Sequence, residues 1–486
     1  MSDAVGFGVA VLVVSGAIIA AIFGGKVSAW LRVPAPALFL IAAAAVALLL
    51  PPVGQTGRQW GESIVSVALV FILFDGGMHI GWRRFRSAAG SIAWIGVAGT
   101  AVSAAALATC AHFLFGLGWQ PSLLLGAALS PTDPAVVFSV LGGSEIAGRT
   151  GTILEGESGA NDPVGIALLT SLVAATGSGL DALGSGLLEF ALQMVVGAAV
   201  GLVGGFGLTV LARRVRLGNQ AMHAVLIAAS AAALYGIGSA LHGSGFLAVF
   251  IAGILLGDVR VPYKREIEQF SSGLAGLAEI VAFIVLGLNI DLREAVHPRD
   301  LLVGLSIGLI LIFLIRPILV GLLTLPIKLE RGERAFVLFA GLKGAVPILL
   351  GLFILDSRRP EDDLVFAVIF VVVLMSVVLQ GGLVPFLADR FGVPMHQNPP
   401  RPWSLDVRFA EEPQGLQRHV IAAGSRADGR TVSELGIGDR GWISMISRAG
   451  RHLPIRNSTR LQAGDVVLTQ VDEDVSLADL LDPPDS

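Results

Sequence analysis

Glu157-Ser158-Gly159-Ala160-Asn161-Asp162 puts two carboxylates, a hydroxyl and an amide inside a stretch long and apolar enough to span a bilayer. Ionisable groups at that depth are costly and as a rule functional. Ser158 and Asp162 are four residues apart, as are Glu157 and Asn161, so on a helix these groups lie on adjoining strips of one face. Burial away from water penalises a bare carboxylate, and a proton or a bound cation each removes the penalty. Asp162 can hold one or the other, not both. The chemistry such a face could do is exchange of a cation for a proton, one for one.

Two interruptions elsewhere fit that chemistry. Ser130-Pro131-Thr132-Asp133-Pro134 sets prolines around a hydroxyl and a carboxylate, and proline removes backbone hydrogen bonds and clashes with the preceding turn, so a helix should break there. The carbonyls so freed, with the Thr132 hydroxyl, are oxygen ligands for a dehydrated cation, and Asp133 can offset the positive end of a half-helix. Gly341-Leu342-Lys343-Gly344-Ala345-Val346-Pro347 interrupts a later apolar run in the same way, and Lys343 can offset the negative ends. Arg316-Pro317 also lies at membrane depth and needs an acidic partner there; Glu157 is the best candidate, and the pair reads as structural.

These groups need a membrane scaffold, and the composition supplies one. Hydrophobic residues make up 54% and charged residues 14% of the chain, with a mean hydropathy of +0.77. This predicts an all-α polytopic membrane protein. About thirteen stretches of roughly 20 apolar residues are predicted to span. They lie near 5–24, 28–50, 62–80, 91–117, 120–141, 150–176, 185–211, 219–240, 243–257, 270–290, 300–325, 334–356 and 364–388. Basic residues such as Lys26, Arg83, Arg84, Arg86, Arg213, Arg214, Lys264 and Arg331 gather in one set of alternate loops, which the positive-inside rule makes cytoplasmic. That orientation puts the N-terminus outside, the C-terminus inside, and requires an odd number of spans. The fifth and twelfth spans, both interrupted, would be equivalent members of two inverted six-helix repeats whose broken helices cross. The 61 glycines suit close helix packing in lipid. Cys110 has no disulfide partner, no positive charge precedes Lys26 as a signal peptide would require, and a net charge of -4 gives no footprint for nucleic acid.

The composition changes after Arg390. Residues 1–390 read as the transmembrane exchanger domain, 391–404 with Pro394, Pro399, Pro400 and Pro402 as a linker, and 405–486 as a small cytosolic α/β domain. In that domain His419–Ala423, Trp442–Ser447 and Asp465–Gln470 read as strands, and Thr431–Gly436 as a short helix.

Spans 3 to 13 resemble the monovalent cation:proton antiporters of the NhaP-like sodium/proton exchanger family. The resemblance is carried by Phe74-Asp75-Gly76-Gly77, Thr132-Asp133-Pro134, Glu157-Ser158 with Asn161-Asp162, the Phe246–Gly253 run, Arg316-Pro317 and Gly341–Val346. The tail resembles the TrkA-C (RCK_C) regulatory module, a combination similar to potassium/proton antiporters of the cell-volume type. The resemblance implies an inner-membrane homodimer and electroneutral exchange of K+ or Na+ for H+ without a cofactor. It implies Asp162 as the shared cation and proton site, Thr132, Ser158 and the backbone near Asp133 as co-ligands, Asn161 as a stabiliser, and Glu157 with Arg316 as its ion pair. Lys343 stands where many relatives have Arg, which keeps the dipole argument but weakens the case for bidentate pairing. A nucleotide ligand for the tail is implied too, although no phosphate-cradling Gly-rich loop is present there. Asp75, His112, Glu189, His223 and Glu279 lie in or near spans without a role read from sequence.

Two other classes compete. Gly156-Glu157-Ser158-Gly159 contains the Gly-x-Ser-Gly string of intramembrane serine proteases, with His223 or His242 as a base. A tail-gated cation channel is the third, and it lacks a repeated carbonyl-lined filter sequence.

Overall fold

The computed structural model describes residues 35–49, 51–133, 144–146, 148–175, 180–215, 219–290, 297–327, 329–356, 361–397, 416–435, 441–448 and 451–471, with isolated positions 16, 19, 137, 141 and 217. Most of the predicted first span (5–24), Pro134 and the linker beyond residue 397 lie outside the described residues. The chain divides into two compact units, Met1–Pro399 and Pro400–Ser486.

The first unit is helical. Its elements begin with α1 (Ala35–Leu49) and α2 (Pro51–Ala93), which bends at Gly81. Gly81 has φ 65°, a left-handed value that a side chain rarely adopts. Beside it the Asp258 carboxylate accepts the Arg83 N–H at 2.5 Å, providing a partner for backbone freed by the bend. The bend separates the predicted spans 62–80 and 91–117. A π-helical stretch, Trp94–Gly99, leads into α3 (Thr100–Phe115). Next come α4 (Trp119–Leu129), α5 (Gly148–Ala174), α6 (Leu180–Arg214) and α7 (Gln220–Ala240). They are followed by α8 (Gly245–Gly257), α9 (Lys264–Asn289) and α10 (Pro298–Ile310), which continues through a π-helical stretch, Leu311–Val320. The last are α11 (Arg331–Phe339), α12 (Ala345–Asp356), α13 (Asp362–Met375), a third π-helical stretch (Ser376–Gly381) and α14 (Gly382–Phe391).

Among the described residues, six helical segments are long and apolar enough to cross a membrane: Gly61–Phe115, Gly184–Arg214, Ala221–Ala240, Lys264–Asn289, Pro298–Leu323 and Asp362–Phe391. α5 is outside that set; it carries Glu155, Glu157 and Asp162. The helices sort by what covers them. α12 is apolar on every side and buried continuously from Ala345 to Leu352, as a central element must be. α6 instead exposes Leu187, Leu188, Val195, Val203 and Phe206, a surface suited to lipid. A short antiparallel ribbon pairs β1 (Ser144–Ile146), just before α5, with β2 (Met395–Gln397), just after α14.

The described part of the second unit is an antiparallel sheet in the order β3 (Leu416–Val420), β6 (Val466–Val471), β4 (Gly441–Arg448), β5 (Arg451–Leu453). Ile421, Leu435, Ile446, Leu461 and Val467 form its core. The predicted helix at Thr431–Gly436 is a single 3₁₀ turn, Val432–Leu435, and β5 is a strand the sequence reading did not include. At Gly464, φ 86°, the chain turns into β6.

Candidate functional site

Two interruptions meet at the centre of the first unit. α4 stops at Leu129, and residues 131–133 continue in a non-helical path. α11 stops at Phe339, and α12 starts at Ala345 after a second non-helical path through 341–344. The paths are joined directly, because the Asp133 N–H donates to the Leu342 carbonyl at 2.8 Å. Lys343 Nζ donates to the carbonyls of Ser130 at 3.2 Å and Pro131 at 2.8 Å, placing a cation at the C-terminal end of α4. The first N–H of α12, that of Ala345, donates to Asp133 Oδ2 at 3.4 Å, placing a carboxylate at that helix's N-terminal end. Gly344 has to be glycine, since a Cβ there would overlap the Asp133 carboxylate.

α5 holds the first break from the side. The Ser158 hydroxyl donates to the Thr132 carbonyl. Asn161 clasps the same residue twice, its Nδ2 donating to Thr132 Oγ1 at 2.8 Å and its Oδ1 accepting the Thr132 N–H at 3.3 Å. The carbonyls freed by the break are therefore not left open: those of residues 130 and 131 accept from Lys343, and that of residue 132 accepts from Ser158. These are the carbonyls that the sequence pattern assigns to a cation. Glu157 Oε2 and Asp162 Oδ1 are both buried without a hydrogen-bond partner, and of the two carboxylates Glu157 is the one paired with Arg316. Asp133 and Lys343 are the charged groups that act on the Asp162 carboxylate. The next residue, Pro163, lies inside α5 and withdraws the intrahelical donor from the Gly159 carbonyl, one turn back.

Arg316 Nη2 is 2.9 Å from Glu157 Oε1, with both side chains buried. The same guanidinium donates to the carbonyls of Leu338 at 2.8 Å and Val337 at 3.2 Å, the last turn of α11. Arg316 thus caps a helix end and neutralises Glu157 together. Its place on a π-helical stretch containing Pro317 turns it toward the break.

Ser376 and Gln380 were missed from sequence. Ser376 Oγ accepts the Lys343 N–H at 3.0 Å and donates to Gln380 Oε1 at 2.5 Å, while Gln380 Nε2 donates to the Phe339 carbonyl at 2.9 Å. Both sit on the π-helical stretch Ser376–Gly381. Of the unassigned residues, Asp75 accepts from Ser272 Oγ at 2.9 Å and lies 3.3 Å from His79, and Glu189 accepts from Gln193 at 3.2 Å. His112 bonds to the Leu117 carbonyl at 2.7 Å and stacks on Trp119. Against the protease reading, the Ser158 hydroxyl is directed to Thr132 and His223, one of its two candidate bases, is bonded to the Val215 carbonyl at 2.9 Å.

A buried carboxylate beside two crossed helix interruptions defines a membrane carrier of ions. Residues 15–390 match the family model described as sodium/hydrogen exchanger, transmembrane, and the chain belongs to that family. It is a transporter and not an enzyme. Similar curated proteins include the K(+)/H(+) antiporter NhaP of Alkalimonas amylolytica, 36% identical over 353 residues, a match spanning 72% of this chain and 61% of that protein. The K(+)/H(+) antiporter NhaP2 of Shewanella sp. (strain MR-4) is 31% identical over 471 residues, spanning 93% of this chain and 79% of that protein. The Na(+)/H(+) antiporter ApNhaP of Aphanothece halophytica is 26% identical over 344 residues, spanning 68% and 65%. Among solved structures, that of the sodium proton antiporter MjNhaP1 from Methanocaldococcus jannaschii at pH 8 has a similar fold, with a TM-score of 0.68 at 21% identity over 78% of this chain and 98% of that one.

Proposed function

We propose that the chain exchanges potassium for protons across the inner membrane, using the carboxylate of Asp162 for both ions in turn. One observation carries this reading: Asp162 Oδ1 is buried, without a hydrogen-bond partner, beside the crossing of two helix interruptions. An oxygen so placed is costly as a bare charge and is satisfied by a proton or by a cation. Reorientation across the membrane is easiest in those two neutral states, so the stoichiometry is one for one and the exchange electroneutral. Thr132 Oγ1 and the Ser158 hydroxyl complete the cation's oxygen shell, with the Asp133 region beside them. Asn161, Glu157, Arg316 and Lys343 hold the site without touching the ion.

The rest of the architecture belongs to the same proposal. It comprises about thirteen spans in two inverted six-helix repeats, the N-terminus outside and the C-terminus in the cytoplasm. Residues 1–390 form the exchanger domain, 391–404 the linker and 405–486 a TrkA-C-like regulatory domain with a nucleotide ligand. Two copies form a homodimer.

Potassium is favoured by relatives alike over long spans that are named potassium/proton antiporters, including NhaP2 at 93% coverage. Sodium is the second reading, favoured by the sodium antiporters of Aphanothece and Methanocaldococcus. Purified protein in liposomes containing a pH-sensitive dye tests both. Potassium is expected to drive proton flux more strongly than sodium, lithium or rubidium, and Asp162→Asn to abolish it. Full flux in Asp162→Asn would remove that residue from the role.

A further inference from the structure

Glu279 lies in the middle of α9, and the exchange described above makes no use of it. α9 packs against α1, α2, α7 and α12, so it runs beside the half-helix that Asp133 caps. Glu279 Oε1 is buried and accepts no hydrogen bond, and no cation pairs with the side chain among the described residues. The residue as a whole is only partly buried. Asp133 is the charged group that acts on it, and Asp133 acts on Asp162 as well. Two orphaned carboxylate oxygens thus share one anionic neighbour.

The other titratable groups facing α9 are engaged elsewhere. On α2, Asp75 and His79 are 3.3 Å apart, and Glu62 faces Asp356 of α12. Three arginines, Arg83, Arg84 and Arg86, lie past the bend at Gly81. On α7, His223 is tied to the Val215 carbonyl and Tyr235 to Ser66 and Ser239. α1 carries no titratable group. Among the described residues Glu279 is therefore an acid with no cation opposite it, on a helix packed against the one whose N-terminus the Asp133 carboxylate caps. A bare charge there meets both burial and repulsion, and a proton removes both.

Resting on the exchange reading above, we infer that Glu279 is a second proton-holding group of the exchange cycle. Its carboxyl O–H bond breaks to water in one stage of the cycle and re-forms from water in another, so it adds no net proton to the one exchanged at Asp162. Asp133 couples the two acids by disfavouring simultaneous negative charge on both.

The test is the pH profile of potassium-driven proton flux in proteoliposomes. Glu279→Gln keeps size and polarity but cannot titrate, and is expected to shift the pH of half-maximal exchange by about one unit, a tenfold change in proton affinity. Glu279→Asp is expected to restore the wild-type profile. A Glu279→Gln profile superimposable on wild type would overturn the inference. Should Glu279→Gln not fold, infrared difference spectra of the wild type and of Glu279→Asp on potassium addition decide instead. Two carboxylic acid bands are expected to respond in the wild type, one of them displaced in Glu279→Asp; a single responding band would overturn the role. The underlying exchange reading fails separately, through undiminished flux in Asp162→Asn, and that result would leave the Glu279 profile to be read by itself.

Discussion

The ammonium of Lys343, on the second helix interruption, donates to the carbonyl of Pro131, on the first, at 2.8 Å. The bond joins the C-terminal end of one half-helix to the connection leading into another. Removing it should loosen the crossing as a whole. Lys343→Met is expected to cost about 1.5–3 kcal/mol, the range for a hydrogen bond involving a charged group, while Lys343→Arg keeps the charge and loses less. Thermal unfolding of the purified protein in detergent checks this. Equal melting of Lys343→Met and wild type would mean that the ammonium is dispensable to the crossing.

Breaking the Arg316 and Glu157 pair from one side leaves a buried charge without a partner. Arg316→Met is expected to destabilise by about 3–5 kcal/mol, with Arg316→Met/Glu157→Gln recovering much of the loss because no bare carboxylate remains. The measurement is the melting temperature of both variants and of Glu157→Gln alone. Strict additivity of the two single losses would show that the residues do not act as a pair.

Ser376→Ala removes the acceptor of the Lys343 N–H and the donor to Gln380 together. A buried N–H left unsatisfied costs about 1–3 kcal/mol. Faster amide hydrogen exchange is expected at residues 341–344, with the Asp162 helix unchanged. If only the α13 amides respond, Ser376 serves its own helix and not the break.

In the tail, burial works to raise the pKa of Asp465, but hydrogen bonds from the Arg448 guanidinium and the Gln462 N–H outweigh it and hold the carboxyl below its ordinary value. A depressed folded-state value means that the carboxylate adds stability above the ordinary carboxylate range and loses it as pH falls through the folded value. Amide protection in Val466–Val471, corrected for the intrinsic pH dependence of exchange, is therefore expected to be high at neutral pH and to fall below about pH 4, the unperturbed value for aspartate. In Asp465→Asn the pH dependence should flatten. A wild-type response in that variant would place the acid sensitivity elsewhere.

Both helix interruptions could be read from sequence because proline and glycine act locally: Pro131 removes a donor wherever it stands, and Gly341 and Gly344 weaken a helix before any tertiary contact forms. Arg316 was legible for a different reason, since a guanidinium at that depth demands an acid and few were available. Ser376 and Gln380 were not, because a single serine and glutamine in an apolar run look like ordinary packing groups. Only the π-helical widening turns them toward Lys343, and such widening has no composition of its own. The engagement of the Thr132 carbonyl by Ser158 was likewise invisible, since it depends on how α5 lies against the break. Pro163 did carry a signal, standing directly after Asp162, and went unread. In the tail, Thr431–Gly436 has helical residues but too few of them to sustain more than a turn.

Because each interruption supplies the partners that the other lacks, neither could be repaired or rearranged alone. A methyl group at position 344 would displace the very carboxylate that caps α12. A change at one discontinuity must accordingly be answered by a change at the other, so these two stretches, more than two hundred positions apart, act as a single structural unit.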